Sequence, residues 1–114
     1  MEPVPTITVQ QLAALLENPS PNLLVLDVRE PAEVAHSALT GPHVIHIPLG
    51  QLPTQLATLA HTLPADAAIA VLCRSGGRSA KATAWLRTQG FQATNVHGGL
   101  TAWQQQVDPT LPTP

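Results

Sequence analysis

The residues best equipped for chemistry stand together at Cys73-Arg74-Ser75-Gly76-Gly77-Arg78-Ser79. Cys73, the only cysteine, follows an apolar run, Ala68-Ile69-Ala70-Val71-Leu72, and a helix-like segment from Ala80 to Gln89 comes after the loop. The thiolate is the nucleophilic form of cysteine, and its pKa falls to roughly 3.5–7.5 at helix N-termini or beside cations. Gly76 and Gly77 let the backbone turn tightly. A loop curled at the start of a helix aims several N–H groups at one point and adds the positive end of the helix dipole. Of the five Lys and Arg residues in the chain, Arg74, Arg78 and Lys81 fall within eight positions beside Cys73. With a net charge of −2 overall, this is a local basic spot on a mildly acidic protein, suited to a small anion and to an anionic sulfur. A lone cysteine after an apolar strand, taken alone, is more often a small core residue. The strand, Gly/Arg loop and helix around it reverse that reading and make Cys73 a candidate nucleophile.

The elements that must position this loop alternate in type. Thr6-Ile7-Thr8 reads as a short strand, with Thr8 capping a helix from Val9 to Leu16 on which Leu12, Leu15 and Leu16 recur at helical spacing. Asn18-Pro19-Ser20-Pro21-Asn22 breaks the chain before a second strand, Leu23 to Val28, and Pro31 suits the first turn of a helix ending near Ser37. Val44 to Ile47 reads as a third strand, stopped by Pro48. Leu52, Leu56, Leu59 and Leu63 place one face of a helix from Leu52 to Thr62 on the core. The strand at 68–72 is the fourth and Ala93 to His97 the fifth, followed by Gly98-Gly99 and a helix from Leu100 to Gln106. Strands alternating with helices predict an α/β fold with a parallel or mostly parallel sheet and helices on both faces. Ligands bind such sheets beyond the carboxyl ends of the strands, where Asp27–Glu30, Cys73–Arg78 and His97–Gly99 all fall.

Length and composition predict a single domain over residues 1–107 with a Pro-rich tail, residues 108–114, expected to fray. Aromatic residues make up 3% of the chain, leaving no stacking platform, and with the net charge this argues against nucleic-acid binding. One cysteine cannot form an internal disulfide, which fits a reducing, cytoplasmic setting. Met1-Glu2-Pro3-Val4-Pro5 lacks the pattern of a signal peptide, and no apolar run approaches membrane-spanning length. His36, His43, His46 and His61 are scattered and form no metal-ligand pattern. Trp85 and Trp103 are expected to pack in the core.

Several stretches in this order resemble the rhodanese family of single-domain sulfurtransferases: Leu26-Asp27-Val28-Arg29-Glu30-Pro31, Ile47-Pro48-Leu49, Val71 through Ser79, Gly90-Phe91, and Val96-His97-Gly98-Gly99-Leu100 with Trp103. The resemblance covers roughly Thr6 to Gln104 and implies a mainly parallel five-stranded rhodanese-like fold. It further implies that Cys73 takes a sulfane sulfur from a small anionic donor, such as thiosulfate, or from a persulfide. The resulting persulfide would pass its sulfur to a thiophilic acceptor, cyanide or a thiol, and a protein could serve as donor or acceptor. Arg74 and Arg78 would bind the anion, while Ser75, Gly76, Gly77 and Ser79 supply N–H groups. No cofactor and no metal is called for. Asp27 and Arg29 are candidate supports of the rim, by pairing with each other or with a loop arginine; each equally suits a bland role in backbone bonding or surface charge. His97 either lines the pocket or is a turn residue in solvent. The family usually carries a stretch like Gly-His-Ile-Pro-Gly-Ala where this chain has Leu39-Thr40-Gly41-Pro42-His43-Val44, a change expected to alter the pocket near the rim.

Two other readings compete. Cys-based phosphatases place five residues between Cys and Arg, whereas here only four, Arg74 to Gly77, separate Cys73 from Arg78, and no general acid for a leaving alcohol is evident. A non-catalytic module that binds a partner protein is the alternative from another class. Such modules often lack the cysteine that this chain retains.

Overall fold

Strands whose residues are apolar on both faces need covering on both faces, and the computed structural model, which describes residues 4–114, meets that need with a helix-flanked parallel sheet. The side chains of Leu56 and Thr62 lie outside the described residues, as does the Met1–Pro3 part of the N-terminal reading. In chain order the elements are β1 (Thr6–Ile7), α1 (Val9–Glu17), β2 (Leu23–Asp27), α2 (Pro31–His36), β3 (Val44–His46), a 3-10 turn (Leu49–Gln51) leading into α3 (Leu52–Thr62), β4 (Ala68–Leu72), α4 (Gly77–Thr88), β5 (Gln92–Val96) and α5 (Gly99–Gln106). The strands run in the order β1-β5-β4-β2-β3, and every pairing between them is parallel. The expected α/β class, with five strands, is the observed one.

Strand side chains alternate between faces, and β2 and β4 use that alternation to build two cores. Leu24, Leu26, Ile69 and Val71 face Leu52, Leu59, Ala82 and Leu86 of α3 and α4. Val25, Ala70 and Leu72 face Val9, Leu12, Leu100 and Trp103 of α1 and α5. Leu26, Val71 and Leu72 have no exposed surface, and each fully buried side chain of this size contributes about 1.5–3 kcal/mol relative to exposure. Trp103 is buried and Trp85 packs at the edge of the first core, as packing residues. Thr8 caps α1: its hydroxyl accepts from the Gln11 N–H at 3.1 Å, and Gln11 Oε1 accepts from the Thr8 N–H at 2.8 Å.

Three expectations need correction. The helix after Cys73 begins at Gly77 rather than Ala80. Its first-turn N–H groups have no helical partner to lose, so Gly77, Arg78 and Ser79 can be helical while their N–H groups face elsewhere. The tail does not stand away from the domain: Leu111 packs against the α1/α5 core, and Ser37 Oγ donates to the Pro112 carbonyl at 2.6 Å. Finally, the Leu39–Val44 segment lies at the N-terminal end of β3, opposite the rim that carries Cys73. There it lines an apolar cavity of about 310 Å³ with Leu16, Pro19 and Trp103.

Candidate active site

β4 delivers Cys73 to the carboxyl edge of the sheet, one residue past its last strand position, with only 1% of its surface exposed. The chain must then reverse within three residues to enter α4. Gly76 performs the turn at φ +108°, in the left-handed region open to glycine. The geometry that results aims the start of α4 at the sulfur. Gly76 N–H donates to Cys73 Sγ at 3.0 Å and Ser79 N–H at 3.4 Å, while Ser79 Oγ stands 3.2 Å away. Ser79 is itself fully buried and donates its hydroxyl to Asn95 Oδ1 on β5 at 2.5 Å.

Loop N–H groups can point inward only if the loop carbonyls are satisfied outside, because a buried orphan carbonyl is costly. The N-terminus of α5 supplies the partners. Leu100 N–H donates to the Cys73 carbonyl and Thr101 N–H to the Arg74 carbonyl, both at 2.9 Å. This needs close approach, and Gly99 permits it: at φ +57° a Cβ there would overlap the Cys73 carbonyl oxygen and lie 2.7 Å from the Arg74 carbonyl. Gly99 was legible as a place for close backbone approach. That its helix holds the loop carbonyls was not.

Burial is the largest single influence on the Cys73 thiol and pushes its pKa up, but the Ser79 hydroxyl and the N–H groups of Ser79, Gly76 and Ser75 together outweigh it. The net shift is downward, toward the thiolate. A lowered thiol pKa raises the fraction of thiolate, the nucleophilic form of cysteine.

Asp27 and Arg29 do meet, and they meet each other. Arg29 donates from Nε to Oδ1 at 3.0 Å and from Nη2 to Oδ2 at 2.8 Å, and both residues are buried. Arg29 Nη2 also donates to the Ser37 carbonyl at 2.7 Å and Nη1 to the Glu33 carbonyl at 3.4 Å. His46 Nε2 lies 2.6 Å from the Arg29 carbonyl. The pair therefore ties β2, α2 and β3 together beneath the rim without touching the sulfur.

The two loop arginines differ. Arg74 is exposed, and among the described residues no carboxylate pairs with it. Arg78, about one-third exposed, donates from Nη1 and Nη2 to the two carboxylate oxygens of Glu33 at 2.5 and 2.8 Å. That bidentate contact lowers the Glu33 pKa to about 2 and raises that of Arg78. Nothing in the sequence singles out Glu33, whose partner Arg78 lies 45 positions away; its Oε1 also accepts from the Glu30 N–H at 3.1 Å, as an N3 glutamate does in a capping box. Asn95 was missed too, and it carried no signal of its own, being one of three polar residues on Gln92-Ala93-Thr94-Asn95-Val96. His97 is exposed, as a turn residue.

The sequence profile described as Rhodanese-like domain matches residues 8–106. The chain belongs to the rhodanese-like domain family. A sulfurtransferase from Allochromatium vinosum is 34% identical over 91 residues, which are 79% of this chain and 79% of that protein. A chloroplastic rhodanese-like/PpiC domain-containing protein 12 from Arabidopsis thaliana is 36% identical over 115 residues, spanning 98% of this chain but 38% of the relative. Among solved structures, a rhodanese-like domain protein from Staphylococcus aureus superposes with a TM-score of 0.77 at 29% identity, covering 96% of this chain and 98% of that one. The domain thus occurs among proteins of its own length and within a longer chain.

Proposed function

We propose that this rhodanese-like domain is a sulfurtransferase that carries sulfane sulfur on Cys73. The observation that carries the reading is the buried Sγ with two N–H groups directed at it, at 3.0 and 3.4 Å, and the Ser79 hydroxyl oxygen 3.2 Å away. Such an arrangement stabilises an anionic sulfur without a cofactor. The sulfurtransferase among its relatives supports the same class of chemistry.

In the first step the Cys73 thiolate attacks the sulfane sulfur of a donor. One S–S bond forms as the donor's S–S bond breaks, and the electron pair leaves on sulfite (from thiosulfate) or on a thiolate (from a persulfide). In the second step a thiol or cyanide attacks the outer sulfur of the Cys73 persulfide, and the Cys73 thiolate is released. The first-turn N–H groups of Gly77 and Arg78, which have no helical partner, are the donors we assign to the outer sulfur. Ser75, Gly76 and Ser79 hold the inner one. Exposed Arg74 guides the anionic donor, and Asp27 with Arg29 supports the rim from below. A reducing, cytoplasmic setting keeps the single thiol free.

Intact-protein mass spectrometry after incubation with thiosulfate or cysteine persulfide tests this. Wild type gains one sulfur atom, released by cyanide or reductant, and Cys73→Ser gains none. A folded wild-type protein with a free thiol that gains no sulfur from either donor overturns the proposal.

A further inference from the structure

The neutralised arginine at the mouth of the cradle bears on which donor the domain takes. We propose that Glu33 determines donor specificity: by holding Arg78 in a bidentate ion pair it leaves Arg74 as the single uncompensated cation of the loop, and so tunes the site toward a persulfide donor, R–S–SH, and away from the thiosulfate dianion. The inference rests on the sulfur-transfer reading above and refines its substrate class.

Charge accounting carries the argument. At the carboxyl edge of the sheet Asp27 cancels Arg29, both buried. Glu33 cancels Arg78 through bonds to both carboxylate oxygens, a geometry that fixes the guanidinium plane as well as its charge. Glu33 is held there independently of Arg78, by the Glu30 N–H on its carboxylate and Arg29 on its carbonyl. Arg78 retains N–H donors for a hydrogen bond but adds no net positive charge. Lys81, exposed, lies three positions further along α4, away from the start of the helix.

The two donors make unequal demands on that field. With thiosulfate, Cys73–S⁻ plus S₂O₃²⁻ gives Cys73–S–S⁻ plus SO₃²⁻, and three negative charges gather at the cradle. With a persulfide in its anionic form, Cys73–S⁻ plus R–S–S⁻ gives Cys73–S–S⁻ plus R–S⁻, and two negative charges gather, one fewer than with thiosulfate. A mouth with one free cation suits the second reaction; a mouth with two would favour the first.

The test measures second-order rate constants for sulfur loading of Cys73 from thiosulfate and from cysteine persulfide, by mass spectrometry. Glu33→Gln frees Arg78 and is expected to raise the thiosulfate-to-persulfide ratio about tenfold, an increase that high salt suppresses. In Glu33→Gln/Arg78→Gln the ratio should return to within about twofold of wild type, because the gain requires the released guanidinium. A ratio that stays flat or falls in folded Glu33→Gln overturns the assignment, even where both donors load Cys73 and the sulfurtransferase reading stands. Should Glu33→Gln fail to fold, Arg74→Gln decides: it should flatten the salt dependence of thiosulfate loading, and a persistently steep dependence would show Arg78 acting as a free cation. Failure of both donors to load wild-type Cys73 overturns the sulfurtransferase reading and this inference with it.

Discussion

Replacing Ser79 by alanine removes one group from the sulfur while leaving the backbone cradle in place. Ser79 Oγ lies 3.2 Å from Cys73 Sγ and 2.5 Å from Asn95 Oδ1, with both neighbours buried. A hydrogen bond to a charged acceptor contributes about 1.5–3 kcal/mol, or about 1–2 pKa units at 1.36 kcal/mol per unit. The hydroxyl has one proton, which goes to Asn95 Oδ1 beside the neutral thiol and turns to the sulfur on ionisation at the cost of that bond; with the N–H groups of Gly76 and Ser79 also remaining in Ser79→Ala, the lower end applies. The Cys73 pKa should rise by about one unit, and the thiolate fraction at neutral pH should fall up to about tenfold. The pH dependence of iodoacetamide alkylation reads that pKa directly, with ultraviolet thiolate absorbance as a second measure. Stability should also drop by about 1–3 kcal/mol, because Asn95 Oδ1 loses its partner in a buried site. Ser79→Thr, which keeps the hydroxyl, should restore much of the pKa. A folded Ser79→Ala protein with an unchanged or lower Cys73 pKa would refute the reasoning, and would assign the ionisation of Cys73 to the backbone N–H groups alone.

Other expectations follow from the neighbouring contacts. Gly99→Ala meets both a left-handed φ and the Cys73 carbonyl, so it should cost at least about 2 kcal/mol; thermal denaturation checks this, and an unchanged Tm counts against the close approach of α5. Asp27→Asn leaves the buried Arg29 charge uncompensated and should destabilise by about 3–5 kcal/mol, measured by urea unfolding. The Glu33 carboxyl, at about 2 when folded against the ordinary 4.5, contributes stability that is fully present above the unfolded value and is lost as pH falls from there through the folded one. Solvent screens this partly exposed pair to about 1 kcal/mol or less, and the stability difference between wild type and Glu33→Gln should shrink accordingly in unfolding curves taken at successively lower pH.

The strands and their burial were legible because β2 and β4 are continuous apolar runs, and an unbroken run of that length between breakers has few other ways to be satisfied. The candidate nucleophile was legible too: one cysteine, placed where a strand gives way to glycines, arginines and a helix, carries its context with it. Local chemistry likewise set the Thr8 cap, the Pro31 start of α2 and the turn at Gly76. What the sequence could not show was the length of α4, since a first helical turn has free N–H groups whether or not its residues favour helix. Only the tertiary structure settled which charges meet. Arg78 and Glu33 lie 45 positions apart, and Ser79 and Asn95 lie 16 apart; a parallel sheet brings them together by aligning the carboxyl ends of its strands at one edge. The chain by itself thus determined which residues have the chemistry for a reactive thiolate. The packing of α2 and α5 against that edge decided which arginine stands free and which backbone groups face the sulfur, because ion pairs and loop carbonyls are partnered through space and not along the chain.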